Sequence, residues 1–319
     1  MAAPASQHME LQDWAALLFM GAIWGSSFLF AHIAVDYIPP LTLAFLRISL
    51  ACIPLCLVLV WQKIRFRLVY DHFGKLFVLG LLNTAIPFFL IFYSQKFIGP
   101  GLGGILNATV PIMIVPLAHF LTHDEKMTAR KISGVLLGFF GVMLMIGMDA
   151  LNGATNNVMA ELIMLGASVS YALGGIFARR FKTIPPLITT TGQLLAVAPF
   201  LLPLSLIFDD SLNLPMPSLE IWGCIFSLAF LSTALAFVFF FRLLARVGAT
   251  RASLVAYLIP VSAIILGVVF KNETFTLSDF AGMAMISLSL AIIDGRLMGK
   301  KPTKNVLNAE NMHDATVTK

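Results

Sequence analysis

The sequence predicts an all-α integral membrane protein of ten transmembrane helices, an inverted repeat of two five-helix halves with both termini cytoplasmic. Three observations predict it. The chain is too apolar to show water an ordinary surface. Its basic residues gather in alternate loops between apolar segments. Its second half repeats the first at a nearly constant offset.

Of 319 residues, 59% are hydrophobic and 12% charged, and the mean hydropathy is +0.90. An ordinary soluble domain carries about 25% charged residues. The bilayer is the solvent that accommodates the difference. The basic balance, pI near 9.2, does not point to nucleic acid, because the Lys and Arg residues form short clusters between apolar stretches, as membrane topology requires. Cys52, Cys56 and Cys224 all lie in apolar runs and read as small packing residues, not as a disulfide framework. Residues 1–13 carry no Lys or Arg and show no cleavable signal peptide.

A membrane-crossing helix needs about 20 mostly apolar residues. Ten segments qualify: Trp14–Ala34, Leu41–Trp61, Leu76–Phe97, Gly101–Leu121, Lys131–Gly147, Val158–Phe177, Pro186–Phe208, Leu219–Leu243, Arg251–Phe270 and Phe280–Ile293. The fifth and tenth are short. Residues 1–13 form a cytoplasmic N-terminus, 14–147 the first repeat, 158–295 the second, and 299–319 a polar cytoplasmic tail.

Charge tests the count. With the N-terminus inside, the inner loops and tail hold eighteen Lys and Arg residues, among them Lys63, Arg65, Arg67, Arg130, Arg179, Lys182, Arg246 and Arg251. The outer loops hold two, Lys96 and Lys271, and Arg47 lies within a helix. One missed helix would reverse every later loop, so the asymmetry supports ten spans.

The repeat is visible residue by residue. Ile38-Pro39-Pro40-Leu41 returns as Ile184-Pro185-Pro186-Leu187, and Met20-Gly21-Ala22 resembles Leu165-Gly166-Ala167. Thr84-Ala85, Gly99 and Pro111 match Thr233-Ala234, Gly248 and Pro260 at an offset of 149. Glu125, Thr128 and Gly134 match Glu273, Thr276 and Gly282 at 148. Five helices is an odd number, so the second copy enters the membrane upside down. Inverted repeats place the substrate site near the midplane between the halves.

Trp24-Gly25-Ser26-Ser27 stands in the first helix, and Pro39-Pro40 leads into a second helix containing Leu46-Arg47. Leu244-Ala245-Arg246-Val247-Gly248-Ala249-Thr250 precedes the ninth helix, Pro260 lies within it and Glu273 follows. In order and spacing these residues resemble the drug/metabolite transporter superfamily, in its ten-helix EamA-type branch, over residues 12–295. The resemblance implies a monomeric ten-helix unit in a bacterial inner membrane, with a central cavity and alternating access. Many members export amino acids or related metabolites; others carry different solutes.

Arg47 is the most unusual residue, about 9 Å along its helix from the outer end. Arg at a helix centre costs about 2.5–3.5 kcal/mol on insertion scales, and less at this depth. One reading has its guanidinium grip a substrate carboxylate; the other has it snorkel or bind carbonyls at a helix end. Its repeat partner is Gln193, a neutral hydrogen-bonder. Asn83, Thr84, Asn107 and Thr109 are further polar candidates, matched in the second half by Ser232, Thr233 and Tyr257. Pro111 and Pro260 cannot donate to the carbonyls of Asn107 and Ala256. Carbonyls freed at membrane depth line a cavity or are satisfied by neighbouring side chains. Trp24, Tyr93, Ser168, Tyr171 and Gln193 add aromatic and polar character at cavity depth, whereas Trp14 and Trp61 sit near helix ends as interface anchors. Gly21/Gly25 and Gly134/Gly138/Gly141 let helices approach closely.

Glu161, Glu220 and Asp279 are read near helix ends on the outer side, so no carboxylate is expected deep in a span, where a proton or cation handle usually stands. Glu273 reads as a capping and loop-pairing residue, and Thr276-x-x-Asp279 as a capping box. His32 and His119 read as hydrogen-bonded helix-end residues. No phosphate-binding loop, metal spacing or catalytic dyad is present, which excludes an ATP-driven pump and leaves an intramembrane enzyme without its chemistry. No cofactor is implied. The sequence thus predicts a secondary transporter of small metabolites such as amino acids, with a small-molecule substrate and membrane lipid as its partners. An exporter of aromatic or amphipathic compounds and a passive facilitator are the alternatives. Substrate identity, coupling ion and direction are left open.

Overall fold

The computed structural model describes residues 10–64, 66–122, 126–151, 155–181, 183–247, 252 and 254–294. Arg65, Glu125, Lys182, the Gly248-Ala249-Thr250-Arg251 segment and the tail 299–319 lie outside them. Among the described residues the chain is all helix, with no strand. Eight helices are long and apolar enough to cross a membrane, and two shorter apolar helices follow. In chain order they are α1 Leu11–Ala34, α2 Pro40–Trp61, α3 Phe73–Ser94, α4 Pro100–Leu121, α5 Ala129–Leu151, α6 Thr155–Ala178, α7 Pro186–Phe208, α8 Leu219–Phe240 (helical on to Val247), α9 Val255–Lys271 and α10 Leu277–Asp294.

Local chemistry sets the helix starts. The two Pro-Pro pairs place Pro40 and Pro186 at the first positions of α2 and α7, where the missing N–H would have no partner anyway and φ is already helical. Asp209, beyond the end of α7, accepts from Thr42 N at 2.7 Å and from its Oγ1 at 2.9 Å, capping α2. Ser218 caps α8. Thr276 and Asp279 form the capping box at the start of α10. α5, read from sequence as a short segment starting at Lys131, is 23 residues long.

The halves interdigitate. α1 packs along α9 and α6 along α4. α8 lies against α1 and α2, as α3 lies against α6 and α7. α2 packs on α7, and α5 on α10. Exchanging each helix for its repeat partner leaves these main pairings unchanged. Glycines permit the closest contacts: a Cβ on Gly21 would overlap Leu258, and one on Gly138 would meet Ser289 Oγ at 2.7 Å.

Large apolar side chains cover the outside as well as the core. Leu57, Phe120, Phe140, Phe208 and Val269 are exposed, which water would penalise and lipid does not. The chain is a multi-pass membrane protein.

Two departures from regular helix stand at matching places. α3 widens into a π-helical stretch at Leu81–Ala85, and α8 into a longer one at Ser227–Leu235. Each contains the Thr of the repeated Thr-Ala pair. Such widenings free backbone groups and concentrate at functional sites.

Candidate functional site: a central cavity between the halves

Arg47 lies two turns into α2 and is 6% exposed. Its Nε donates to Thr233 Oγ1 at 3.0 Å. Thr233 is fixed in turn by donating to Leu228 O at 2.8 Å, five residues back, a spacing that the π-helical turn of α8 provides. The guanidinium carbon lies 3.9 Å from the centroid of the Phe88 ring and 5.8 Å from that of Phe92. No carboxylate pairs with it among the described residues, and Nη1 and Nη2 have no hydrogen-bond partner there.

Arg47 opens on a cavity of about 440 Å³, within the range of small-molecule sites. Phe28, Phe88, Phe92, Phe237, Phe240 and Trp24 form much of its wall. The Trp24 indole donates to Ser232 O at 3.1 Å, and its ring lies 5.5 Å from that of Phe240 and 6.4 Å from that of Phe237. Asn83, Asn107, Tyr171, Ser27 and Ser232 supply the polar lining beside Arg47. Asn83 Nδ2 donates to Gln193 Oε1 at a long 3.4 Å. Asn107 Oδ1 is buried with no partner. The phenol of Tyr171 is near enough to Arg47 to interact electrostatically.

The prolines behave differently in the two halves. α4 breaks at Ala108–Thr109, and Pro111 opens its second segment and lines the cavity. Thr109 Oγ1 and Ser168 Oγ donate to the carbonyl of Leu106 at 2.6 and 3.2 Å, so hydroxyls satisfy the backbone at the break. Pro260 sits inside the continuous helix α9 and is buried, while Ala256 and Ile259 face the cavity.

Of the residues singled out from sequence, the structure thus brings Trp24, Arg47, Asn83, Asn107, Tyr171 and Pro111 onto one cavity. Gln193 stands behind Asn83, and Thr84 is fully buried, donating to Gly80 O at 2.6 Å. Tyr257 packs in the cluster around Ile105 and Ile286. Tyr93 is 39% exposed in an aromatic row between Phe89 and Phe97 and does not line the cavity. Sequence reasoning read Ser27 only as part of the Trp24-Gly25-Ser26-Ser27 run, and passed over the phenylalanines of the wall, which 27 Phe residues gave no means to select.

Among the described residues the carboxylates lie outside the cavity. Asp13 is buried and pairs with Arg246 at 3.2 Å. Glu161, read from sequence near a helix end, is 1% exposed in the second turn of α6, because that helix starts at Thr155. Glu273, in the loop after α9, accepts from the N–H groups of Gly101 and Leu102 at 2.8 and 2.9 Å, capping α4 from the other half. Burial pushes its carboxyl above the usual range, the two N–H groups oppose that, and Asp279 adds to it. His32 Nδ1 hydrogen-bonds Gln95 O at 2.8 Å, and His119 Nδ1 accepts from Met127 N at 3.2 Å.

A membrane-embedded helical bundle enclosing an amphipathic cavity, with a cation on its wall that no described carboxylate pairs with, defines a solute transporter. Residues 13–147 and 158–294 each match the EamA-like transporter family, and the chain belongs to it. The chain is 28% identical over 265 residues to the "Uncharacterized transporter YoaV" of Bacillus subtilis (strain 168), covering 83% of this chain and 90% of that one. It is 26% identical over 306 residues to a "Probable amino-acid metabolite efflux pump" of Escherichia coli (strain K12), covering 93% and 99%. A solved crystal structure matches with a TM-score of 0.62 at 18% identity, over 88% of this chain and 96% of that one, and shows the same fold.

Proposed function

We propose that this protein is a secondary transporter exporting small carboxylate-bearing metabolites such as amino acids, by alternating access through the central cavity. The ten helices are ten spans, both termini lie on the cytoplasmic side, and the second repeat is inverted. The symmetric packing pairs and the eighteen-to-two distribution of basic residues support that arrangement. Transport follows from rocking one repeat against the other around a site that stays near the midplane.

One observation carries the reading: a buried guanidinium on the cavity wall with no anionic partner among the described residues. A buried charge is normally paired, and a planar guanidinium suits a carboxylate. Arg47 then binds the substrate carboxylate, while Asn83 and Asn107 meet its polar remainder. The relatives named as amino-acid metabolite efflux pumps agree with this direction and class. Arg47→Ala and Asn107→Ala, each expressed to the normal level, are expected to lose transport. Wild-type rates in both would remove the site assignment.

A second reading, export of aromatic or amphipathic compounds, is favoured by the seven aromatic rings of the described wall. A panel of solutes in thermal unfolding separates the two, since a ligand at 100 times its dissociation constant adds about 2.7 kcal/mol of stability. Stabilisation without a carboxylate requirement favours the second.

A further inference from the structure

We propose that the central site selects by net charge: its preferred ligand is a monocarboxylate on an apolar or aromatic body, ranked above the zwitterionic amino acid of the same skeleton. This rests on the reading of Arg47 as the carboxylate clamp and adds a charge rule to it.

The charges around the cavity carry the argument. Among the described lining residues Arg47 is the one charged side chain, and Asp, Glu, Lys and His are absent. The carboxylates nearest the lining are engaged or remote: Asp36, five residues past the lining residue Ala31, is exposed and paired with Lys271 at 3.9 Å. Asp13 lies eleven residues before Trp24 on α1, about 16 Å along the axis, and is already paired with Arg246. Glu161 lies ten residues before Tyr171 on α6, about 15 Å along the axis, outside the lining. The described wall therefore carries a net charge of one positive unit.

A monocarboxylate neutralises that charge. An amino acid does not: its ammonium is on the carbon next to the carboxylate, so binding leaves the site as cationic as before. It also brings a second cation close to the guanidinium. An ammonium taken out of water needs an anion to offset its desolvation, and the acceptors here are neutral. Asn107 lines the cavity, and its neutral carboxamide meets a ligand hydroxyl or amide N–H without asking for a charge. The remaining surface fits an apolar body: Phe88 and Phe92 flank the guanidinium, and Trp24, Phe237 and Phe240 form a continuous aromatic wall.

Three ligands of one skeleton test this: 3-phenylpropanoate (anion), phenylalanine (zwitterion) and phenethylamine (cation). Their dissociation constants are measured by calorimetry on the full chain in detergent near neutral pH, and the series is repeated with 4-methylpentanoate, leucine and 3-methylbutylamine. The anion is expected to bind at least about tenfold tighter than the zwitterion, as close like charges demand, with no heat from the amine. Asn107→Asp, which supplies a counter-charge for an ammonium, is expected to reverse the ranking. The wild-type series decides the matter by itself. A zwitterion bound as tightly as its anion, or neither anion bound, overturns the proposal. Arg47→Gln separates the two readings. If amino acids bind best and Arg47→Gln abolishes that binding, the clamp stands and the charge rule falls. If binding of every ligand survives Arg47→Gln, both fall.

Discussion

Eight residues into α2 and into α7 the two halves make comparable polar contacts with different chemistry. In one, Arg47 of α2 reaches α8 and bonds Thr233 at 3.0 Å. In the other, Gln193 of α7 reaches α3 and accepts from Asn83, beside Thr84, at 3.4 Å. The helix pair, the position along the helix and the π-helical partner segment are common to both. What differs is a charge and the tightness of the bond. The repeat thus supplies a symmetric scaffold, and departures from symmetry make one wall of the cavity cationic. The prolines follow the same logic: the break in α4 brings Asn107 and Pro111 to the cavity, whereas α9 runs unbroken through Pro260.

Arg47→Gln makes α2 resemble α7 and is the largest expected effect. Hydrogen bonds to charged groups contribute about 1.5–3 kcal/mol, so affinity for carboxylated ligands should fall roughly 10- to 100-fold. The glutamine can still reach Thr233, so the variant should elute as a monodisperse peak in detergent. Calorimetric affinity unchanged from wild type would mean that the asymmetry has no bearing on binding.

Stability should show the same inequality between repeat partners. Gly21 and Gly166 occupy equivalent places in α1 and α6. A Cβ on Gly21 would overlap the Leu258 side chain of α9, whereas the nearest atom to one on Gly166 is Leu90 Cδ1 at 3.6 Å. Gly21→Ala should therefore cost about 1–3 kcal/mol through overpacking. Gly166→Ala should be neutral or gain up to about 1 kcal/mol from helix propensity. Thermal unfolding of the two variants side by side measures this. Equal shifts would mean that α1 and α9 are not in the tight contact described.

Much of this architecture was legible because lipid imposes strong rules on sequence. Apolar runs mark the helices, and Pro-Pro pairs mark the starts of α2 and α7. The repeat could be followed through single residues such as Thr84 and Thr233. The π-helical widenings were not legible, since no residue pattern distinguishes a turn closed five residues back from one closed four back. Nor was the Arg47–Thr233 bond, which joins residues 186 apart in sequence. Arg47, Asn83 and Asn107 stood out because polar groups are rare in apolar helices. The phenylalanines of the wall did not, because lining, lipid-facing and core Phe look alike in sequence. Tyr93 was singled out by residue type, yet its helix face turns it away from the cavity.

The smallest expected effect lies at the loop after α9. Glu273 is pressed against Gly99, Gly101 and Gly267 while capping α4. Burial raises its carboxyl above the ordinary carboxylate value, despite the two N–H donors, and Asp279 raises it further. Lys271, the nearby cation at the end of α9, is engaged with Asp36 at 3.9 Å. A carboxyl whose folded pKa is raised binds its proton more readily in the folded state. Its contribution to stability is therefore present below the unfolded value of 4.5 and is lost as pH rises through the folded one. Glu273→Gln keeps the shape without the titration. The melting temperature of the wild type, measured relative to that variant, should fall as pH is raised from about 4 towards neutrality. Parallel curves would mean that the two N–H donors fully offset burial. A wild type that gains on the variant as pH rises would mean that the ionised cap dominates, and that the clasp between α4 and the second half is strongest when charged.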